Sequence, residues 1–244
     1  MGFVACLLHV DRLMPHAAVR SNERYAWHGQ SLLITDVNGE CDDAAPISGF
    51  YFREARFLRR LALRINGTAP WLCEDAVISQ RELLFAYTFP EVARYGGGGT
   101  GQSEDETPLD DHGLPQRAID IRLRYRVGLA AMDADAVVAN RSPHKVATLD
   151  LSWILEADFS DIQETFGEHR QQSAEIRTIP DGHRLTLEYA HERLPYRAII
   201  EAYGADWHAS PLGFASTIEL QPGESGTGML ARALRALDAE SIPA

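Results

Sequence analysis

Lysine is nearly missing from this chain, Lys145 standing against a background in which arginine supplies the rest of the 23 basic residues. GC-rich coding produces that bias, and it carries no functional meaning. Positive charge as a whole is in deficit, with 35 acidic residues and a formal net charge of -12. A phosphate-backbone partner is therefore not expected, because nucleic-acid binding needs a cationic surface that releases counterions. Cysteine is scarce, and Cys6, Cys41 and Cys73 are too widely spaced for a disulfide framework or a C-x-x-C metal site. Reduced thiols imply a cytoplasmic protein. Long apolar runs are lacking too: Gly2–Val10 is too short to span a bilayer or to act as a secretory segment, so no membrane partner is expected.

Chemical motifs are equally sparse. The nine histidines show neither H-x-x-x-H nor H-E-x-x-H spacing, which argues against a metal site. A G-x-S-x-G nucleophile elbow is missing. The glycine run Gly96–Gly99 with Gly101 is not followed by the Lys-Ser or Lys-Thr of a phosphate loop, and acids such as Glu104 and Asp105 follow it instead. Residues 95–115 read as a surface insertion. No cofactor is expected.

What is present is β periodicity. Ile119, Ile121, Leu123, Tyr125 and Val127 alternate with Asp120, Arg122, Arg124 and Arg126, which specifies a strand with one core face and one wet face. Leu149, Leu151, Trp153 and Leu155 repeat the design. Ser31–Asp36 ends in Asn38-Gly39 and Leu61–Ile65 in Asn66-Gly67, each a strand closed by a turn signal. Shorter strands are expected at 83–88, 136–140, 174–179, 184–189, 196–201 and 214–220. The spacing of Met229, Leu230, Ala233, Leu234 and Leu237 predicts a helix over 229–240. The expected fold is mostly β, an antiparallel β-sandwich of meandering strands closed by a short C-terminal helix.

Two segments carry a more specific signal. Gly49-Phe50-Tyr51-Phe52-Arg53-Glu54-Ala55-Arg56-Phe57-Leu58-Arg59-Arg60-Leu61 resembles the aromatic, arginine-rich signature of the N-terminal domain of bacterial glycogen debranching enzymes, which reads close to F-F-R-D-T-R-F-L-S-R-L. Glu54 and Ala55 stand where the family usually has Asp and Thr. Val138–Ser142, followed by the 149–155 strand and Ala157-Asp158-Phe159-Ser160-Asp161, resembles the family's Asn turn, long strand and A-D-F-x-D. Gln221-Pro222-Gly223-Glu224 is similar to its closing L-x-P-G-E. The resemblance covers residues 30–226 and implies a supersandwich-like β domain that precedes an (α/α)6 barrel carrying the hydrolytic carboxylates. It divides the chain into an extension at 1–29, the β domain at 30–226, and a helix with its tail at 227–244. The chain ends before such a barrel, so the family's catalytic residues have no positions here.

Two constellations have both a functional and a structural reading. Arg53, Arg56, Arg59 and Arg60 beside Phe50, Tyr51, Phe52 and Phe57 could form a sugar platform. The structural alternative, which we prefer, makes the aromatics core anchors and pairs the arginines with acids such as Glu54, Asp158 or Asp161. Asp158 and Asp161 could flank a glycosidic bond, but short acids after a strand more commonly satisfy backbone N–H groups in a turn. Arg53, Arg56, Asp158 and Asp161 are thus the candidate site, with a binding or structural role and no catalytic one. The expected function is a non-catalytic accessory domain packed on an (α/α)6 glucosidase domain. The alternatives are a free-standing α-glucan-binding module and a small hydrolase using Asp158 and Asp161. Trp71, Tyr95, Tyr203 and Trp207 are candidates for the docking surface.

Overall fold

The computed structural model describes residues 22–43, 45–91, 109–166 and 173–237, and side chains as far as Gly226. The strands are β1 (Glu23–His28), β2 (Ser31–Asp36), β3 (Gly49–Phe52), β4 (Ala55–Leu58), β5 (Arg60–Ile65), β6 (Trp71–Ser79), β7 (Glu82–Phe89) and β8 (Ile119–Val127). They continue as β9 (Ala131–Asn140), β10 (Ala147–Glu156), β11 (Ile176–Asp181), β12 (Arg184–Tyr189), β13 (Arg197–Tyr203), β14 (His208–Ser210), β15 (Gly213–Leu220) and β16 (Ser225–Leu237). Among the described residues the only helix is α1, Ile162–Phe166.

These strands pair antiparallel into two four-stranded sheets, β1-β2-β3-β4 and β14-β15-β10-β5, and one eight-stranded sheet, β11-β12-β13-β16-β9-β8-β7-β6. The eight-stranded sheet joins two meanders, β6 to β9 and β11 to β13, through β16, which inserts between β13 and β9. By pairing, the strands fall into sheets of four, four and eight that share one core, a propeller-like arrangement. The expected two-layer, supersandwich-like β-sandwich is therefore corrected. Alternation reports that a strand has one buried face, but it does not report how many sheets share the core. Pairings such as β5 with β10 and β9 with β16 join segments far apart in the chain.

The expected C-terminal helix is also overturned, because β16 is a strand hydrogen-bonded on both sides. Its apolar spacing has a β explanation. Against β9, Leu230 faces Ala134 and Leu234 faces Met132, so four steps on β16 span two on its partner. A bulge of this kind resets the period-two pattern and leaves apolar residues three and four apart, as on a helix face.

Elsewhere the alternation holds. β8 buries Ile119, Ile121, Leu123, Tyr125 and Val127 and leaves Arg122, Arg124 and Arg126 exposed. β10 buries Leu149, Leu151, Trp153 and Leu155. These side chains join Phe50, Phe57, Phe85 and Phe214 in one core cluster that reaches all three sheets. Each fully buried large side chain contributes about 1.5–3 kcal/mol. Two of the exposed arginines of β8 meet acids across the strands, Arg124 with Glu82 at 3.0 Å and Arg126 with Asp135 at 3.4 Å. This face is a mixed-charge ladder, not a cationic patch.

Candidate functional site

The two signature segments meet in space. β5 runs beside β10 with Leu61 opposite Leu155 and Arg60 opposite Glu156. Past the end of β10 the pairing passes to β4: Arg59 N donates to Glu156 O at 2.8 Å, Arg56 N to Ser160 O at 2.8 Å, and Ile162 N to Glu54 O at 2.9 Å. The side chains follow the same geometry. Phe159 is buried edge-on to Phe57, with ring centroids 5.4 Å apart, and stacks on Tyr189 at 5.4 Å. Phe159 has a φ of 50°, so its aromatic contacts hold a backbone conformation that costs a non-glycine residue about 1–3 kcal/mol.

Arg56 is the hub of this junction. Its Nε donates to Asp158 Oδ1 at 3.1 Å and its Nη2 to Asp158 Oδ2 at 2.5 Å, a fork-on-fork pair. Its Nη1 donates to the carbonyls of Pro46 and Ser48, at 2.5 and 3.1 Å. One guanidinium thus ties together β4, the loop before β3 and the turn after β10. The paired side chains are only 11% and 13% exposed. Burial alone would raise the Asp158 carboxyl, but the hydrogen bonds and charge of Arg56, with the Ser160 hydroxyl, outweigh it and hold the group below the usual aspartate range. Burial likewise works against the Arg56 cation, and the bond to Asp158 more than compensates, raising its pKa.

Asp161 does different work. Its Oδ1 accepts the N–H groups of Gln163 at 2.6 Å and Glu164 at 3.0 Å, while Glu164 Oε2 accepts the Asp161 N–H at 3.0 Å. This reciprocal arrangement is a capping box at the start of α1. Of the other signature arginines, Arg59 bonds Glu156 at 2.7 Å and Asp43 at 3.0 Å, and Arg60 bonds Glu156 at 3.0 Å. Glu156 is a partner that the sequence reading missed, although its place opposite Arg60 follows once β5 and β10 are in register. Arg53 sits at the β3–β4 turn with φ 56° and places its guanidinium 5.4 Å from the Phe52 ring. Phe50, Tyr51, Phe52 and Phe57 are all buried. Their faces belong to the core, so the structure brings Arg56, Asp158 and Asp161 together without an open aromatic platform beside them.

An open cleft lies elsewhere, at the β6 edge of the eight-stranded sheet, with a volume of about 1350 Å³. It is walled by the Asn38-Gly39 turn, the Asn66–Leu72 segment, the end of β7 and residues 110–117. Two buried tyrosines fix the turn: Tyr87 Oη donates to Asn38 O at 2.6 Å and Tyr125 Oη to Gly39 O at 2.8 Å. Gly39 has φ +76°, and a Cβ there would lie 2.6 Å from Tyr87 Oη and 2.9 Å from the Phe85 ring. Only glycine fits both constraints. Glu40 is paired with Arg64, and burial nevertheless raises its carboxyl pKa. Arg117 and Glu91 form a bidentate pair at 2.9 and 3.1 Å.

The other expected contacts divide. Trp71 is 56% exposed on the cleft wall and Tyr203 is partly exposed, but Trp207 is only 4% exposed and donates its indole N–H to Tyr203 O at 2.9 Å. Trp207 is thus core, a correction to its expected place on a docking surface. Tyr95 and Cys6, with most of the 95–115 insertion, lie outside the described residues. Cys41 is buried and Cys73 exposed, both as free thiols. Among the described residues no group of three or more His, Cys, Asp or Glu side chains is placed to hold a metal, and no helix is long and apolar enough to cross a membrane.

No curated protein sequence matches the chain. A family model described as the N-terminal domain of some glycogen debranching enzymes matches residues 27–228, which include both signature segments, their shared junction and the cleft. This chain belongs to that family of debranching-enzyme N-terminal domains.

Proposed function

We propose that the chain is a non-catalytic accessory domain of a glycogen-debranching-type glucosidase, and that it packs against an (α/α)6 domain that carries the chemistry. The observation that carries this reading is the use already made of Asp158 and Asp161. A glycoside hydrolase needs one carboxyl group held protonated as a general acid, with its pKa raised, opposite a second, free carboxylate. Asp158 is shifted the other way and spends both oxygens on Arg56, while Asp161 caps α1.

An exposed apolar group supports the docking part of the reading. Trp27, Val77, Ile78 and Leu129 are exposed on neighbouring turns and strand ends. Those turns are tied together, with Trp27 N donating to Gln80 O at 2.7 Å, Val127 N to Arg81 O at 2.9 Å and Ser31 Oγ to Leu129 O at 2.8 Å. Apolar surface gathered in this way suits a partner's apolar face. The free thiols of Cys41 and Cys73 support a reducing, cytoplasmic setting. The test is a sensitive reducing-sugar assay of the pure chain on a branched dextrin. No release above buffer is expected, and hydrolysis that disappears in Asp158→Asn would overturn the non-catalytic reading.

A further inference from the structure

From its apolar lining, its charge and the place where β1 begins, we propose that the cleft beside Trp71 is the docking groove for this chain's own N-terminal segment, residues 1–21, which lie outside the described residues. Polar side chains of the walls are already engaged within the chain. The Asn38 amide bonds Asp36 at 3.0 Å, the Thr68 hydroxyl bonds the Ile65 carbonyl at 3.1 Å and the Gln116 amide bonds Glu91 at 3.3 Å. What the cleft offers an occupant is apolar surface, with Trp71 56% exposed and Ala69, Pro70 and Leu72 beside it. β6 is also the edge strand of its sheet, so an exposed indole and a strand edge without a paired strand among the described residues stand together. Both invite association, and proteins ordinarily cover them. Gly2–Val10 has matching chemistry in Phe3, Val4, Leu7, Leu8 and Val10.

Position favours this occupant. Glu23, at the start of β1, pairs with Asp36, and Asp36 Oδ1 accepts the N–H of the cleft residue Asn38 at 2.9 Å. Arg24 is bonded to Asp75 in the middle of β6, and Trp27 N donates to Gln80 O at 2.7 Å just past its end. β1 therefore travels the same way as β6, and the chain before Glu23 leads back toward Trp71. Residues 11–21, at up to about 3.5 Å each, extend over as much as roughly 35 Å, so Gly2–Val10 has ample reach. Charge selects the same segment. Arg117 and Glu40 are matched by Glu91 and Arg64, which leaves the walls net negative through Asp110 and Asp111. Residues 1–21 carry Arg12 and Arg20 against Asp11, whereas the insertion at 95–115 carries Glu104, Asp105 and Glu106. Negative walls attract the first and repel the second.

This contact is separate from docking to a catalytic domain, since Trp71 lies on the cleft wall whereas the proposed docking group is Trp27, Val77, Ile78 and Leu129. The chain carries its own reporters: Cys6 in the segment and the exposed thiol of Cys73 close to Trp71, with Cys41 buried. The full chain at low micromolar concentration is treated with a short bismaleimide, and linked peptides are identified by mass spectrometry in the monomer and dimer bands. A Cys6–Cys73 link should close within one chain about tenfold faster or more in the native protein than in the urea-unfolded one, because docking raises the effective concentration of one thiol at the other above that of a free tether. Leu7→Asp and Trp71→Ala should each slow closure several-fold, and Leu7→Met, which stays apolar, should not. Three results would each overturn the proposal: equal closure rates in native and unfolded chains, an unchanged rate in Leu7→Asp, or Cys6–Cys73 links found only in the dimer band, which would place a second copy in the cleft.

Discussion

Replacing Arg56 by methionine would remove a guanidinium that serves three segments at once and leave the Asp158 carboxylate without its partner, 13% exposed. Breaking a buried pair by removing one member typically costs about 3–5 kcal/mol, because the surviving charge stays desolvated. Residual solvent access places this pair at the low end, about 3 kcal/mol. Loss of the bonds to the Pro46 and Ser48 carbonyls adds to the cost, since each net hydrogen bond contributes about 1 kcal/mol. For a chain of this size each kcal/mol shifts the melting temperature by about 2–4 °C, so the combined loss of about 5 kcal/mol should make Arg56→Met melt roughly 10–20 °C below wild type. Differential scanning fluorimetry with a parallel urea titration reads both numbers. The double variant Arg56→Met, Asp158→Leu should recover part of the loss, because it removes the stranded charge together with its partner. If Arg56→Met melts within about 1 °C of wild type, or if the two substitutions simply add, the hub assigned to Arg56 is refuted.

The same pair sets an acid limit. The folded Asp158 carboxyl lies below its ordinary value, so its stabilising contribution is complete above the unfolded aspartate pKa and is lost as pH falls through the lowered folded one. The stability gap between wild type and Asp158→Asn, measured by urea unfolding, should therefore be full at pH 7 and shrink below about pH 4. Gly39→Ala forces a side chain into positive φ against Tyr87 and Phe85 and should destabilise by about 2–3 kcal/mol in the same assay. Asp161→Ala removes the α1 cap and should cost about 1 kcal/mol, and Asp161→Asn, which can still cap, should cost less.

Strands with one wet face were legible, as β8 and β10 show, because alternation is a local consequence of the pleat. β3 was not read as a strand, since Gly49–Phe52 is buried on both faces and shows no alternation. β6 lies at a sheet edge with little burial and has none to display either. β16 gave a helical spacing because its register shift breaks the period of two. Sheet number was beyond local pattern, being decided by long-range pairings.

The Arg56–Asp158 contact was legible because two spaced signatures, 102 residues apart in sequence, implied a shared site. The cleft was not. Its walls come from four separated segments, around residues 38–40, 66–72, 87–91 and 110–117, and none has a motif of its own. In sequence Trp71 reads as an aromatic in a poorly alternating stretch and a candidate for a docking surface, with nothing to place it in a cleft. Its exposure and its polar neighbours exist only in the folded chain.

Association with a helical catalytic domain tests the central claim most directly. The full chain would be mixed with a purified (α/α)6 debranching-type glucosidase domain from the same source and followed by analytical ultracentrifugation, with Ile78→Asp and Leu129→Asp as surface variants. A one-to-one complex that both substitutions weaken, without change in the melting temperature, is the predicted result; two species that sediment independently at micromolar concentration would contradict it.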